Sequence, residues 1–160
     1  MDTADKGNGT FDDVDLSPKR LTAYIDISKQ FLNQDSVSAE AMLQNDIISA
    51  LAEKLEATIL GDEAGTTDKP AGLFYNATAL EIDYKNIVKQ EQSLEEENIT
   101  GNYTYIVSPE IKADLKTTEK ASGTGLFLMN GNEVNGYNVL CTNAAKGIVL
   151  GKFSEYLIAQ

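Results

Sequence analysis

The sequence predicts an α+β fold in which a long helix comes early and short strands come last. Large aliphatic residues recur at helical spacing between residues 37 and 60. Residues 103–108 form a compact apolar run, and residues from 123 onward contain short apolar runs separated by turn residues. The predicted order is strand, long helix, helix, strand, helix and then strands, which is an α+β arrangement. The 160 residues fit one compact domain, or a larger domain plus a small lobe.

The first predicted element is a strand over residues 21–28. Apolar and polar residues alternate there, with the period of two expected of a strand that has one buried face. The apolar positions are Leu21, Ala23, Ile25 and Ile27. Residues 1–13 are rich in Gly, Asp, Asn and Thr, which predicts a mobile arm. Ser28 is expected to cap a short helical turn over residues 29–34.

A long amphipathic helix over residues 37–60 is the strongest local pattern in the chain. It is expected to begin after Asp35 and Ser36 and to stop at Gly61. Its apolar stripe consists of Met42, Ile47, Ile48, Leu51, Leu55 and Ile59. Burial of five large aliphatic side chains, at about 1.5–3 kcal/mol each, would make this helix the main anchor of its lobe.

An acidic turn, "GDEAGTTDKPAG", follows the long helix over residues 61–72. Carboxylate oxygens of Asp62, Glu63 and Asp68 could hold calcium, but the alternating ligands and closing glutamate of an EF-hand loop are missing. A solvated turn is therefore the favoured interpretation, and no metal-binding residue is predicted.

A second helix is predicted from Asp83 to Glu97, with Asp83 as its N-cap. Its inward residues are expected to be Tyr84, Ile87, Val88 and Leu94.

A strand is expected from Tyr103 to Ser108, and it leads directly into a third helix. Ser108, Pro109 and Glu110 form a favourable helix start, because they supply a cap, a proline in the first turn and an acid at the positive helix end. Ile111 and Leu115 are expected to form the buried edge of that helix.

From Gly123 onward the pattern indicates strands and turns. The predicted strands are "GLFLM", "VNGYNVLCT", "GIVLG" and "FSEYLIA", and the predicted turns are "NGNE" and "NAAKG". Asn130-Gly131 marks a tight hairpin. The glycines of "GTGLFLMNGNEVNG" precede a strand rather than a helix, so hairpin turns are favoured over a phosphate loop. Cys141 is expected to be a small buried residue of a strand.

The composition excludes several classes of function. With 13 basic and 25 acidic residues the net charge is −12, which repels nucleic acid and anionic membrane surfaces. The chain has no histidine and one cysteine, so a Ser/His/Asp or Cys/His nucleophile, a typical zinc site and an intrachain disulfide cannot be built. We therefore predict no catalytic, cofactor-binding or metal-binding residue and no enzymatic activity. Neither a membrane span nor a signal peptide is predicted.

Taken in order, these segments resemble the major capsid protein family of tailed bacteriophages and prophages, which has the Hong Kong 97-like fold. The resembling segments are residues 11–36, 39–74, 105–129, 134–145 and 147–159. The segment over residues 39–74 resembles the family's spine helix, which ends in an acidic Gly-containing turn and a Pro-x-Gly-Leu motif.

The resemblance implies a division of the chain into domains. Residues 1–13 would be the remnant of an extended loop, residues 14–72 a partial peripheral domain containing the spine helix, and residues 73–160 the axial domain of mixed sheet and helices. The acidic turn would lead from one domain to the other. Family members are much longer, so this chain is expected to be a truncated fragment.

The implied function is structural. Full-length copies would assemble as pentamers and hexamers into the icosahedral head that encloses DNA, with other head proteins as further partners and without specific nucleic-acid binding, membrane binding or a cofactor. The expected location is the virion capsid, and the bacterial host cytoplasm during assembly. Two alternatives stay open: an encapsulin-type nanocompartment shell, and an acidic extracellular binding module, for which the Asn-x-Thr triplets at Asn8, Asn76, Asn98 and Asn102 are weak support.

Overall fold

The structure, a computed structural model, describes residues 18–28 and 36–156. The helices of this part are α1 Ser36–Ile59, α2 Tyr84–Glu96 and α3 Pro109–Thr117. The strands are β1 Thr104–Val107, β2 Met129–Asn130, β3 Glu133–Val134, β4 Tyr137–Cys141 and β5 Ile148–Gly151. The α+β prediction is confirmed.

The five strands form one mixed sheet in the order β2-β3-β4-β1-β5. Strand β1 lies parallel to β4, with Tyr105 opposite Val139, and antiparallel to β5, with Tyr105 opposite Leu150. Strands β2, β3 and β4 are joined by antiparallel pairing. The parallel β1–β4 pair needs a long crossover, and the chain supplies it through α3 and the β2–β3 hairpin.

The core lies on one face of this sheet. Along β1, buried and half-buried residues alternate, so Tyr105 and Val107 point inward. Ile87 of α2 and Leu115 of α3 pack into the same cluster. The other buried members are Tyr103, Leu128, Met129, Val134, Val139 and Leu150. Helices α2 and α3 therefore cover one face of the sheet.

Local start signals place α2 and α3 where the sequence predicts them. The Asp83 carboxylate accepts a hydrogen bond from the Asn86 amide at 2.7 Å, and the Ser108 hydroxyl accepts one from the Ile111 amide at 3.3 Å. Pro109 begins α3, where its missing amide proton costs nothing. Leu115 is fully buried and Ile111 is half-buried, so the predicted inner edge of α3 is confirmed.

The inward face of α2 is only partly as predicted. Ile87 is buried and Leu94 is half-buried, but Tyr84 and Val88 are each 40% exposed. The inward face instead passes through the half-buried Gln90 and Glu91, which are three and four residues after Ile87. The prediction selected apolar residues, whereas this helix turns two polar residues inward.

The predicted strand over residues 21–28 does not form. These residues adopt no strand in the described part of the chain and all are exposed, including Leu21 at 43% and Ile25 at 40%. An alternating pattern indicates which face a strand would bury, but a strand forms only when a neighbouring edge accepts its backbone hydrogen bonds.

Helix α1 has the predicted bounds within one residue, but its predicted burial is wrong. In the part of the chain that the structure describes, no residue of its aliphatic stripe is buried: Met42 is 61%, Ile48 64% and Leu55 41% exposed. The buried residues Leu60 and Gly61 come only after the helix has ended. Helical periodicity predicted the helix correctly, but it carried no information about what covers the stripe.

The strands after Gly123 are shorter than predicted. The hairpin predicted at Asn130-Gly131 forms: Asn130 ends β2 and pairs with Glu133 of β3, and Gly131-Asn132 is the turn between them. Within "GLFLM" only Met129 belongs to a strand, and "VNGYNVLCT" is interrupted by a second turn at Asn135-Gly136. Both residues of that turn have positive φ, 50° and 88°, as a type I′ hairpin requires.

Two further expectations about the last strands are wrong. Residues Phe153–Glu155 form a short 3₁₀ turn rather than a strand. Cys141 is exposed at the last position of β4, so its apolar sequence neighbours did not indicate burial. The strand over "GIVLG" and the turn over "NAAKG" are confirmed.

Some predictions lie outside the described residues. They are the mobile arm over residues 1–13, the helical turn over residues 29–34 and the end of the "FSEYLIA" segment.

Candidate functional site

An uncovered aliphatic ridge on α1, formed by Ile47, Ile48, Leu51 and Leu55, is one unusual surface of the chain. Leu51 and Leu55 follow Ile47 and Ile48 at spacings of three, four, seven or eight residues, which places all four on one side of the helix. Ile48 is 64% exposed and Leu55 is 41% exposed, while Ile47 and Leu51 are half-buried. A contiguous exposed apolar surface of this kind is typical of a protein–protein contact.

The sheet has a second apolar surface, on the face opposite the core. Ile106 of β1 lies directly opposite Leu140 of β4 and Val149 of β5. Leu140 is 52% exposed, and Ile106 and Val149 are half-buried. This row, called the open face below, crosses three strands without a covering helix in the described residues, since α2 and α3 pack on the other side.

The segment after α1 folds back onto the end of the helix. The amides of Leu73 and Phe74 donate hydrogen bonds to the carbonyls of Ile59 (2.7 Å) and Gly61 (3.0 Å), and the Gly72 amide donates to Glu63 (3.1 Å). The first bond satisfies the Ile59 carbonyl, which the end of the helix would otherwise leave unpaired, and the other two close the turn that follows. Gly72 is required here, because a Cβ at this position would lie 2.0 Å from the Gly61 carbonyl oxygen. The turn is therefore a tightly built junction.

Two side-chain contacts connect this junction region to other parts of the chain. Lys19 Nζ donates to the Thr67 carbonyl at 2.9 Å, and Thr142 Oγ1 donates to Glu56 Oε1 at 2.5 Å. The second contact joins α1 to the loop after β4. Both are on the exposed surface, so each adds little stability.

The acidic residues of the junction lie in solvent. Asp62, Glu63 and Asp68 are all exposed, and Glu63 forms an ion pair with Lys69. Among the described residues, no group of three or more His, Cys, Asp or Glu side chains is placed to hold a metal ion. The structure therefore shows these three carboxylates exposed to solvent.

A polar cluster fixes the β3–β4 turn to α2. Asn135 donates to Glu91 Oε1 at 2.9 Å and accepts from Lys120 Nζ at 2.9 Å. The Tyr105 hydroxyl donates to the same Glu91 oxygen at 3.4 Å. The Lys120 ammonium also lies 5.2 Å from the ring centre of Tyr84, within range of a cation–π interaction.

Burial and the nearby Glu91 carboxylate perturb two tyrosines of this cluster. Burial, followed by the charge of Glu91 and its hydrogen bond, raises the pKa of Tyr105 well above its usual value. Burial, followed by the charges of Glu91 and Glu95, raises the pKa of Tyr137. Both shifts favour the neutral phenol over the phenolate.

A cleft of about 340 Å³ lies where the junction meets the helices and the sheet. Its lining includes Asp62, Phe74, Gln90, Ile111 and Lys146. The Gln90 Oε1 atom is buried and has no hydrogen-bond partner among the described residues. In the described part of the chain, no helix has the length and apolar character needed to cross a membrane.

Sequence patterns alone did not find these two apolar surfaces. The ridge residues were predicted, but to be buried, and the open face was not predicted at all. A signal for the open face existed in the continuous apolar run "YIV", because a strand that alternates strictly would carry polar residues on its outer face. The register that aligns Ile106 with Leu140 and Val149 depends on strands far apart in sequence.

Comparison with known protein sequences identifies the family of this chain. The sequence model of the phage capsid family matches residues 1–160. The major capsid protein of Halomonas phage phiHAP-1 is 30% identical over 158 aligned residues, which cover 93% of this chain and 26% of that protein. The chain thus spans about a quarter of the length of the curated relative that it matches. This 160-residue chain belongs to the phage capsid family.

Proposed function

We propose that this chain is part of a major capsid protein, a structural and non-enzymatic protein of a phage or prophage head. The observation that carries the proposal is the family match over the whole chain. The uncovered ridge of α1 gives it a physical basis, because aliphatic side chains left in water by one copy are stabilised when another polypeptide covers them.

We infer further that the fold is of the Hong Kong 97 type. In this interpretation residues 14–72 belong to the peripheral domain with α1 as its spine helix, and residues 73–160 form the axial domain. A long helix, the closed junction at residues 61–74 and a mixed sheet with its helices on one face, in that order, support this division.

The proposed assembly consists of pentamers and hexamers in an icosahedral shell, with the full-length protein as its building block. Shells of this kind depend on many modest interfaces that closed symmetry repeats, so each subunit is held by several neighbours. The net charge of −12 suits a wall that encloses DNA without binding it tightly. The proposed location is the virion capsid, reached from the host cytoplasm during assembly.

The test uses the full-length protein that contains this segment, examined by negative-stain electron microscopy. We expect closed particles from the parent protein. The change Ile48→Gln should reduce the particle yield at least about tenfold, because it puts a polar amide into an interface that must exclude water. Ser49→Gln is the matched control, since the neighbouring Ser49 is exposed but lies off the ridge.

Each outcome of this experiment has a clear meaning. If particles form equally well from both variants, the ridge is not part of an interface between subunits. Full-length protein that stays monomeric under every assembly condition would contradict the capsid function and favour the binding-module alternative. Particles that contain a protein cargo instead of DNA would indicate a nanocompartment shell.

A further inference from the structure

An Asn-Gly dipeptide lies at each of the sheet's two hairpins, in different surroundings. Asn130 is the last residue of β2 and pairs with Glu133, so Gly131-Asn132 forms the first turn, whereas Asn135-Gly136 itself forms the turn between β3 and β4. Gly131 and Gly136 both have positive φ, 64° and 88°. In the described part of the chain neither glycine amide donates a backbone hydrogen bond. The sheet therefore provides two Asn-Gly sites: Asn130 ends a strand, whereas Asn135 is a turn residue with φ 50°, and their side chains are held differently.

The Asn-Gly dipeptide can react with itself in water. The backbone nitrogen of the glycine attacks the carboxamide carbon of the asparagine, so that a new N–C bond forms. The bond from that carbon to the amide nitrogen breaks, and ammonia leaves with the proton released by the backbone nitrogen. Water then opens the succinimide ring at either carbonyl and gives aspartate or isoaspartate. Glycine favours the first step because no Cβ hinders the approach.

Asn135 is held away from this reaction by two charged partners. Its carboxamide oxygen accepts from Lys120 Nζ at 2.9 Å, and its amide nitrogen donates to Glu91 Oε1 at 2.9 Å. Charge-assisted hydrogen bonds of this length are stronger than neutral ones. The carboxamide must leave both partners before its carbon can reach the nitrogen of Gly136.

Asn130 has no such restraint. It is exposed, and its carboxamide makes no hydrogen bond within the described residues. Its carboxamide can therefore rotate towards the Gly131 nitrogen without breaking a polar contact. The neighbouring Lys112 donates to Asn132 at 3.3 Å and leaves Asn130 free.

We propose that Asn130 is a site of spontaneous deamidation, and that the contacts with Lys120 and Glu91 protect Asn135. The product carries one more negative charge at the edge strand β2. Isoaspartate also inserts an extra backbone carbon beside the turn and weakens the pairing of β2 with β3. The pairing of β4, β1 and β5 is retained, whereas Met129 of β2 and Val134 of β3 are core residues at the affected edge of the sheet.

The test follows both asparagines in the folded 160-residue chain during incubation in mildly alkaline buffer. Cleavage after Glu133 separates Asn130 and Asn135 into different peptides, and deamidation raises the mass of each by about 1 Da. We expect Asn130 to react at least about tenfold faster than Asn135, which corresponds to about 1.4 kcal/mol of barrier. In concentrated urea, where the contacts are absent, the two rates should be similar.

A pair of lysine variants tests the protection directly. Lys120→Met removes one partner of Asn135 and should raise its rate towards that of Asn130. Lys112→Met is the matched control, because Lys112 bonds Asn132 in the neighbouring turn, and it should leave the rate at Asn135 unchanged. If Lys120→Met does not fold, the ratio of folded to urea rates at each site still decides the question.

Three results would overturn the proposal. Equal rates at Asn130 and Asn135 in the folded chain would mean that the two contacts do not protect. Slow reaction at both sites in the folded chain, together with fast reaction in urea, would mean that the β2–β3 turn itself protects Asn130. An unchanged Asn135 rate in folded Lys120→Met would exclude Lys120 as the protecting group.

Discussion

Truncating Leu115 and Ile48 separately should show where the stability of this chain resides. Leu115 is fully buried against the sheet, so Leu115→Ala removes its transfer free energy and leaves a cavity, at a cost of about 2–5 kcal/mol. Ile48 is 64% exposed, so only about a third of an isoleucine transfer free energy, roughly 0.5–1 kcal/mol, is at stake. The higher helix propensity of alanine offsets about half of that.

Urea denaturation followed by the near-ultraviolet circular dichroism of the tyrosines measures both changes. A loss of about 3 kcal/mol in Leu115→Ala should lower the urea midpoint by about 1–3 M with an unchanged slope. It should also lower the melting temperature by about 6–12 °C for a chain of this size. Ile48→Ala should change the unfolding free energy by less than about 0.5 kcal/mol. If Ile48→Ala cost as much as Leu115→Ala, the ridge would be part of the chain's own core and the reasoning about an uncovered surface would be refuted.

Two further substitutions test the junction and the polar cluster. Gly72→Ala should lower the free energy of unfolding by about 1–3 kcal/mol and speed hydrogen exchange at the Leu73 amide, because the new Cβ would lie 2.0 Å from the Gly61 carbonyl oxygen. Ala71→Ser, at the exposed neighbouring position, should change both quantities little. Unchanged exchange in Gly72→Ala would contradict the tight packing of the junction. Since the folded pKa of Tyr105 is raised, the unfolded chain loses its proton first above pH 10.0, so stability falls there by up to about 1.4 kcal/mol per pH unit. Tyr105→Phe should show a shallower fall in urea titrations between about pH 10 and pH 11, and an equal fall would exclude Tyr105 as the source.

Helix and turn positions could be predicted because their signals are local. The Asp83 cap, the Ser108-Pro109 start and the stop at Gly61 each act on the backbone within a few residues. The same holds for the turn after Asn130, where Gly131, the first turn residue, has the positive φ that this hairpin geometry needs.

Burial was harder to predict, because it depends on partners that a local pattern does not identify. The stripe on α1 and the alternation at residues 21–28 show which faces are apolar, but both are exposed in the described chain. The reverse error occurred in α2, where Gln90 and Glu91 turn inward because Glu91 accepts hydrogen bonds from Asn135 and Tyr105. That partner set joins residues 14 and 44 positions apart, beyond the range of any local pattern.

If the proposed assembly occurs, the uneven burial means that α1 and the sheet depend on it to different degrees. The sheet, α2 and α3 bury their own core, so their stability belongs to the single chain. Helix α1 has 24 residues and no buried side chain among those described, so within one copy it is held mainly by its own hydrogen bonds and by the junction. A neighbouring polypeptide that covers the ridge adds its binding free energy to the ordered helix. Hydrogen exchange along α1 should therefore slow on assembly far more than exchange in β1, and an equal change in both would mean that the ridge is not where the subunits meet.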